Sequence, residues 1–150
     1  MFAPMPRPTN ALIVDDEPHV RAFLRLVLKE LGITTCWEAP DGAQALEMVV
    51  RHKPELVLLD VNLPVMGGLE MLAKLQVIAP EIPVIMMSSE SALKTVREAA
   101  RLGAWAYVLK HNPKADILKA LREAIDSLAD AGSKTGAEDE QTGESEPDRA

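Results

Sequence analysis

The sequence predicts an α/β protein built on a doubly wound parallel sheet. Five short apolar stretches alternate along the chain with five segments whose apolar residues recur at helical spacing. Stretches such as LVLL (56–59) lack polar–apolar alternation, which is typical of strands covered on both faces. Strands that alternate with helices are joined by right-handed parallel crossovers, and this arrangement defines the class.

The first half of this pattern contains two strands and two helices. Residues 11–14 (ALIV) form a short apolar run that ends in acids, and they predict the first strand. Residues 18–31 predict a helix, with a proline in its first turn and a glycine directly after its end. A β-rich stretch at 34–38 predicts the second strand, and 43–52 predict a second helix with Asp41 as N-cap.

The second half continues the alternation after the LVLL strand. Residues 69–77 predict a helix that follows two glycines, and 83–87 predict an apolar strand. A helix is predicted at 92–102 and ends at a glycine; 105–109 predict the last strand and 113–128 the last helix. No internal repeat and no pattern for a second domain is present.

Composition excludes several classes of protein. Hydrophobic residues make up 47% of the 150 and aromatic residues 3%, so the core is expected to be aliphatic. A net charge of -7 argues against direct nucleic-acid binding through phosphate contacts. The single cysteine, Cys36, excludes an internal disulfide and a multi-cysteine zinc site. Without a leader or an apolar run of about 20 residues, we expect a cytoplasmic protein with no membrane insertion.

The chain divides into three parts by composition. Residues 1–8 are expected to form a flexible N-terminal arm, and residues 9–130 the folded domain. Residues 131–150 contain no Leu, Ile, Val or aromatic residue and are rich in acids. Such a segment buries too little apolar surface to offset its ordering entropy, so we expect a disordered acidic tail.

Chemically active side chains follow four of the five predicted strands. Asp15 and Asp16 come after the first strand, Asp60 after the third, Ser88 after the fourth and Lys110 after the fifth. In open parallel sheets, functional sites lie at the carboxyl ends of the strands. Each residue alone has an ordinary explanation as a cap or a solvated strand end, but the combination in one domain indicates a functional site.

The residue types suit phosphoryl transfer. Carboxylate oxygens are the ligands of Mg²⁺, which offsets the charge on a transferring phosphoryl group. Asp60 is the candidate nucleophile and would form an aspartyl-phosphate. Ser88 would donate a hydrogen bond to a phosphoryl oxygen, and Lys110 would pair with it.

Four motifs identify a family resemblance. They are IVDDEP (13–18), LVLLDVNLPVMGG (56–68), PVIMMSSE (83–90) and AYVLK (106–110). With them the chain resembles the receiver domains of two-component response regulators, most of all the single-domain, chemotaxis-receiver type, over residues 9–130. The resemblance implies a flavodoxin-like fold with five strands in the order 2-1-3-4-5 and five helices.

The resemblance also implies roles for site residues. It implies an Mg²⁺ ion held by Asp16 and Asp60, with help from Asp15 and the backbone carbonyl of Asn62. It implies Ser88 as the hydroxyl switch and Lys110 as the phosphate-pairing lysine.

The resemblance implies further roles in binding a downstream partner and in dephosphorylation. Tyr107 corresponds to the family's rotating aromatic residue, and Trp105, two residues earlier, is expected on the same side of the last strand. We expect both to belong to an output surface formed by the fourth helix, fifth strand and fifth helix. Asn62 and Glu90 are expected to tune dephosphorylation, because they flank the path of the attacking water.

The chain departs from the family pattern at two positions. Lys110 is followed by His111, where the family usually has a proline with a cis bond, so the peptide is either trans or strained. Ser88 stands where threonine is commoner. The histidines at 19, 52 and 111 are scattered over separate elements and do not predict a metal site, and no nucleotide-binding motif is present.

Three functions fit these observations. The first is a stand-alone switch that accepts phosphate from a sensor histidine kinase or a histidine phosphotransfer protein and signals through protein contacts. The second is the N-terminal receiver of a larger regulator whose output domain is absent here. The third is an enzyme of the aspartate-nucleophile phosphatase type, but such enzymes need a second Asp where this chain has Asn62. We therefore expect no activity beyond the protein's own phosphotransfer and dephosphorylation.

Overall fold

The fold is that of a computed structural model, which describes residues 7–142 and, from 131 onward, the backbone alone. The strands are β1 (Asn10–Val14), β2 (Thr35–Ala39), β3 (Val57–Asp60), β4 (Val84–Ser88) and β5 (Ala106–Leu109). The helices are α1 (Pro18–Glu30), α2 (Gly42–His52), α3 (Gly68–Ile78), α4 (Leu93–Arg101) and α5 (Lys114–Thr142). Each predicted element is present, and its ends lie within one residue of the prediction except at the end of α5.

The strands form one parallel sheet in the order β2-β1-β3-β4-β5, as predicted. The register pairs Leu12 with Val57, Leu59 with Met86 and Met87 with Val108. All five strands therefore end at the same edge of the sheet. The order changes direction between β1 and β3, where an open α/β sheet presents its functional site.

Helices cover both faces of the sheet. Helices α1 and α5 pack on one face, and α2, α3 and α4 pack on the other. Successive strand residues point to opposite faces, so that Leu12 faces the α2–α4 side and Ile13 the α1–α5 side, and both are fully buried. This explains why the strand sequences are continuously apolar.

Local signals in the sequence begin and end the helices as expected. The side chain of Asp41 accepts a hydrogen bond from the Gln44 N–H at 2.9 Å and so caps α2. Gly32 has φ +91° just after α1, a conformation that a side chain disfavours. Beside it, the Ile33 N–H donates to the Leu28 carbonyl and closes the helix.

The interior is aliphatic, as the composition predicts. Its largest fully buried side chains are those of leucine, isoleucine and methionine residues. Cys36 is buried and free, and burial raises the pKa of its thiol. Within residues 7–142, no helix combines the length and the apolar character that a membrane crossing requires.

The end of the chain differs from expectation. Helix α5 continues to Thr142, beyond the helix end predicted at residue 128. Extending an existing helix requires no new nucleation, and this favours helix even where few apolar residues are available. Residues 143–150 and 1–6 lie outside the described part, and the proposed division into arm, domain and tail stays a prediction. Pro8, assigned to the arm, is buried.

Candidate functional site

Two buried carboxylates meet at the carboxyl edge of the sheet. Asp15 directly follows β1 and Asp60 is the last residue of the neighbouring strand β3; each is 1% exposed. Asp16 lies beside them and is exposed. One carboxylate oxygen from each of the three lies within 4.8 Å of the others. The structure therefore brings together the acidic residues that the sequence singled out.

Lys110 joins the two buried carboxylates. Its Nζ lies 2.9 Å from Asp15 Oδ2 and 3.1 Å from Asp60 Oδ2, and its side chain is 6% exposed. The Lys110 N–H also donates to the Ser88 carbonyl at 2.8 Å, which fixes the lysine at the end of β5. No peptide bond among the described residues is cis, so the Lys110–His111 bond is trans. The lysine thus reaches the site although His111, and not a proline, follows it.

Burial and neighbouring charges shift the pKa values of Asp60 and Lys110. Burial raises the pKa of Asp60, and the neighbouring Asp15 charge raises it further, while Lys110 opposes both. For Lys110, burial acts to lower the pKa, but the hydrogen bond to Asp15 and the charge of Asp60 outweigh burial and raise it. One ammonium thus lies between two buried carboxylates, and the exposed carboxylate of Asp16 is close to both. This excess of negative charge favours an additional cation.

The turn after β3 holds Asp60 from the other side. The Asn62 N–H donates to Asp60 Oδ1 at 3.2 Å. Helix α3 begins at Gly68 so close to this turn that a Cβ there would lie 2.1 Å from the Asp60 carbonyl oxygen. The Gly68 N–H donates to the Val61 carbonyl at 2.8 Å, which accounts for the close approach. The sequence identified this glycine only as a helix boundary.

Ser88 is connected to Tyr107 through one backbone segment. Ser88 is fully buried at the end of β4, and its Oγ accepts a hydrogen bond from the Glu90 N–H at 3.0 Å. The Glu90 carbonyl accepts a hydrogen bond from the Tyr107 hydroxyl at 3.0 Å. The exposed Glu90 side chain accepts from Thr95 Oγ1 at 3.3 Å. A displacement of the Ser88 hydroxyl would therefore act directly on the segment that holds Tyr107.

Trp105 and Tyr107 bind different elements, contrary to the expectation that they share one side. Strand β5 begins at Ala106, so Trp105 precedes the strand and its alternation does not apply. The Trp105 Nε1–H donates to the Ala124 carbonyl and to Ser127 Oγ on α5, each at 3.0 Å. Tyr107 packs instead with the cluster on the α2–α4 face. Trp105 is 39% exposed at the sheet edge.

Sequence reasoning assigned no role to the residues that surround Asp15. Arg21 Nη1 donates to the Asp15 carbonyl at 2.6 Å, and its Nε pairs with Glu38 at 2.9 Å. Glu17 donates its N–H to Asp15 Oδ1 at 2.9 Å, and its carboxylate lies 3.7 Å from Lys110 Nζ. A polar position on an amphipathic helix gives no sign of a partner on another element, so periodicity alone did not identify Arg21 or Glu38.

The three histidines form no metal set with other ligands among the residues described. The His52 ring stacks on Trp37 with centroids 4.5 Å apart. His19 and His111 line one cavity of about 190 Å³ that also contacts Lys110. Their spacing along the chain gave no indication of this proximity.

Comparisons with known proteins agree with this geometry. A family model described as a response regulator receiver domain matches residues 11–122. Sporulation initiation phosphotransferase F of Bacillus subtilis is 38% identical over 114 residues, covering 76% of this chain and 88% of that protein. The nitrate/nitrite response regulator protein NarL of Escherichia coli is 36% identical over 118 residues, covering 78% of this chain and 55% of that protein. The chain thus spans about half of the second relative.

Solved structures show the same fold. A CheY-like response regulator receiver domain protein from Methanospirillum hungatei has a TM-score of 0.73 and 26% identity, covering 83% of this chain and 99% of that one. The signal receiver domain of a response regulator NarL from Mycobacterium tuberculosis has a TM-score of 0.70 and 28% identity, covering 81% and 98%. The similarity includes nearly the whole of each of these two domains.

Proposed function

Because the chain belongs to the response regulator receiver family, we propose that it is a signalling switch that accepts a phosphoryl group on Asp60. The observation that carries this proposal is the position of Lys110, whose ammonium lies within 3.1 Å of the buried carboxylates of Asp15 and Asp60. Ser88 ends the next strand at the same edge. A nucleophile, a cationic partner and a hydroxyl donor are thereby supplied by adjacent strands.

The acidic residues suit Mg²⁺. Asp16 and Asp60 would hold the ion, with help from Asp15 and the backbone carbonyl of Asn62. One oxygen from each of three carboxylates lies within 4.8 Å of the others, and the exposure of Asp16 leaves access for the waters that Mg²⁺ retains. When bound, the ion would offset the negative charge that develops on the transferring phosphoryl group.

The protein groups would divide the transfer between them. An Asp60 oxygen would form a bond to phosphorus as the P–N bond of a phosphohistidine breaks. The departing imidazole would keep the electron pair of that bond and take a proton from solvent. Lys110 would shift from the carboxylates to a phosphoryl oxygen, and Ser88 would donate a hydrogen bond to another. Water would later attack the phosphorus, break its bond to the Asp60 oxygen, and release inorganic phosphate with the Asp60 carboxylate regenerated. No other substrate is proposed.

The phosphodonor that we propose is a sensor histidine kinase or a histidine phosphotransfer protein. The match with sporulation initiation phosphotransferase F includes 88% of that protein, which leaves little room there for an additional domain. This favours a stand-alone role in phosphate relay. The alternative is a receiver that belongs to a larger regulator, because the chain covers 55% of the nitrate/nitrite regulator. In either case we propose that the downstream protein target binds the surface of α4, β5 and α5.

The phosphorylated state should be short-lived. Asn62 and Glu90 are both exposed beside the site and are polar, so they would admit and orient the attacking water. After removal of the phosphodonor, the phosphoprotein should decay well within an hour at neutral pH, as followed by intact-mass spectrometry. Substitution of Asn62 by Leu should slow this decay. A wild-type phosphoprotein that persists for many hours would refute these roles.

Small-molecule phosphodonors test the proposed function. Incubation with acetyl phosphate and Mg²⁺ should add the mass of one phosphoryl group to the wild-type protein. Excess EDTA should prevent the addition, and the Asp16→Ala variant should need far more Mg²⁺ than the wild type. An unchanged rate of phosphorylation in EDTA would contradict the role of the metal. Full labelling of Asp60→Asn would contradict the role of Asp60.

A further inference from the structure

Arg21 of α1 forms a contact whose purpose the proposed switch does not explain. Its side chain is 15% exposed, so the guanidinium is largely removed from water. Its Nη1 donates to the Asp15 carbonyl at 2.6 Å. A short hydrogen bond from a charged donor, shielded from solvent, is stronger than an ordinary surface contact.

The Asp15 contacts show what this hydrogen bond completes. The Asp15 N–H donates to the Ala39 carbonyl at 3.1 Å, at the end of β2. Its carboxylate accepts from the Glu17 N–H and from Lys110 Nζ, each at 2.9 Å. The carbonyl oxygen is the remaining polar group, and Arg21 binds it. Every polar group of Asp15 is therefore held.

The same carbonyl belongs to the peptide that leads into Asp16. A peptide unit is planar, so fixing its oxygen also fixes the direction of the following N–H and Cα. Asp16 is exposed, and among residues 7–130 the structure gives its side chain no hydrogen bond or ion pair. Its orientation towards the site therefore depends on its backbone, and the plane of that backbone is held by Arg21.

Glu38 of β2 anchors the arginine. Arg21 Nε lies 2.9 Å from Glu38 Oε1, while Arg25 Nη2 lies 2.8 Å from the other oxygen, Oε2. Burial alone would raise the pKa of Glu38, but the hydrogen bonds from Arg25 and Arg21 outweigh burial and lower it, so Glu38 stays ionised. A guanidinium carries its donors on separate nitrogens in a rigid planar fork, so that Nε binds Glu38 while Nη1 binds the Asp15 carbonyl. A lysine has a single donor nitrogen and cannot reproduce this spacing.

We propose that Arg21 is a positioning residue for the metal site and orients Asp16 by holding the peptide between Asp15 and Asp16. This inference rests on the proposed function, because it assigns Arg21 a purpose only if Asp16 binds Mg²⁺. The role is indirect, since Arg21 binds a backbone oxygen of the acidic segment and is not a ligand. Groups that orient ligands in this way influence metal affinity strongly.

Arg25 provides a matched control. It binds the same Glu38 carboxylate through the opposite oxygen and, by the contacts the structure gives, does not reach Asp15. The variants Arg21→Gln and Arg25→Gln each remove one arginine from Glu38, but only the first removes the bond to the carbonyl. The free energy of unfolding without Mg²⁺ and the Kd for Mg²⁺, from calorimetric titration, are measured for both.

We expect Arg21→Gln to weaken Mg²⁺ binding by roughly tenfold, and Arg25→Gln to leave the Kd within about twofold of wild type. Arg21→Lys, which retains the charge, should fold and also bind Mg²⁺ more weakly than wild type. If Arg21→Gln does not fold, the test is whether Arg21→Lys has a higher Kd for Mg²⁺ than the wild type.

An unchanged Kd in the folded Arg21 variants would overturn the inference. Equal losses of affinity in Arg21→Gln and Arg25→Gln would overturn it too, because they would show a general effect of the Glu38 pairing. In both cases the wild-type protein would still bind Mg²⁺ and be phosphorylated on Asp60. Failure of the wild-type protein to do either would instead refute the proposed function.

Discussion

Gly68 positions the segment that carries Asp60, although glycine has no functional group. A Cβ at this position would lie 2.1 Å from the Asp60 carbonyl oxygen and 2.7 Å from the Val61 Cα. Both atoms are backbone and cannot rotate away, so a larger residue would have to displace the turn that follows Asp60. The requirement for glycine is steric, and its φ angle is not the cause.

Gly68→Ala should therefore lower both stability and phosphorylation. We expect a loss of about 1–3 kcal/mol in the free energy of unfolding, measured with urea, because overpacking forces the backbone to shift. The rate of labelling by acetyl phosphate should fall as Asp60 moves. Gly67→Ala is the control, since its nearest contact would be an ordinary 3.9 Å, and it should cost less than about 1 kcal/mol. Equal behaviour of the two variants would refute the steric argument.

The site residues differ in how far the sequence could predict them. The positions of Asp15, Asp60, Ser88 and Lys110 were predictable, because continuous apolar runs locate strand ends and parallel strands end together. Arg21 bonds to groups on other elements, and such pairing leaves no local pattern. Its part in the site became apparent only from the structure.

At the scale of elements, a chain of hydrogen bonds links β4 to β5. The Glu90 N–H donates to Ser88 Oγ, and the Glu90 carbonyl accepts from the Tyr107 hydroxyl. If Ser88 turns towards a phosphoryl group, the Glu90 N–H loses its partner, and the Glu90 carbonyl that holds Tyr107 would then be able to move with its segment. Such coupling acts as a shift between two populations, so activation must favour one of them. Trp105 directly precedes β5 and provides a fluorescent probe at this outer strand of the sheet.

Trp105 fluorescence should detect this shift. In a Trp37→Phe background, beryllofluoride with Mg²⁺, which mimics the phosphoryl group, should change the Trp105 emission. The indole is hydrogen-bonded to α5 next to β5, the strand that carries Tyr107. Ser88→Ala should reduce the change, whereas substitution of the exposed Ser89 by Ala should not. An unaltered emission, together with full partner binding by a Trp105→Ala, Tyr107→Ala double variant, would place the output surface elsewhere.

At the scale of the whole molecule, the apolar pattern predicted the sheet, its helices and both covered faces. It placed the end of α5 at residue 128, because periodicity follows apolar positions and does not indicate how far a helix continues after them. Within residues 114–130, where burial is described, the last buried residue of α5 is Leu128. The backbone is helical through Thr142.

A truncation after Asp130 tests whether this extension matters for folding. The side chains of Ile117, Leu121, Ile125 and Leu128 that join α5 to the core remain in the shortened protein. We therefore expect the urea midpoint and the slope of the transition to equal those of the full chain within error. A large loss of stability would show that residues beyond 130 pack on the domain.

The most direct test of the central claim is chemical identification of the phosphorylated side chain. An acyl phosphate on aspartate is reduced by borohydride to homoserine, so the modified residue can be located by peptide mass spectrometry. After treatment with acetyl phosphate and Mg²⁺, we predict homoserine at position 60, and its absence when EDTA is present. Homoserine at another aspartate, or phosphate that resists borohydride on a serine or histidine, would contradict the account.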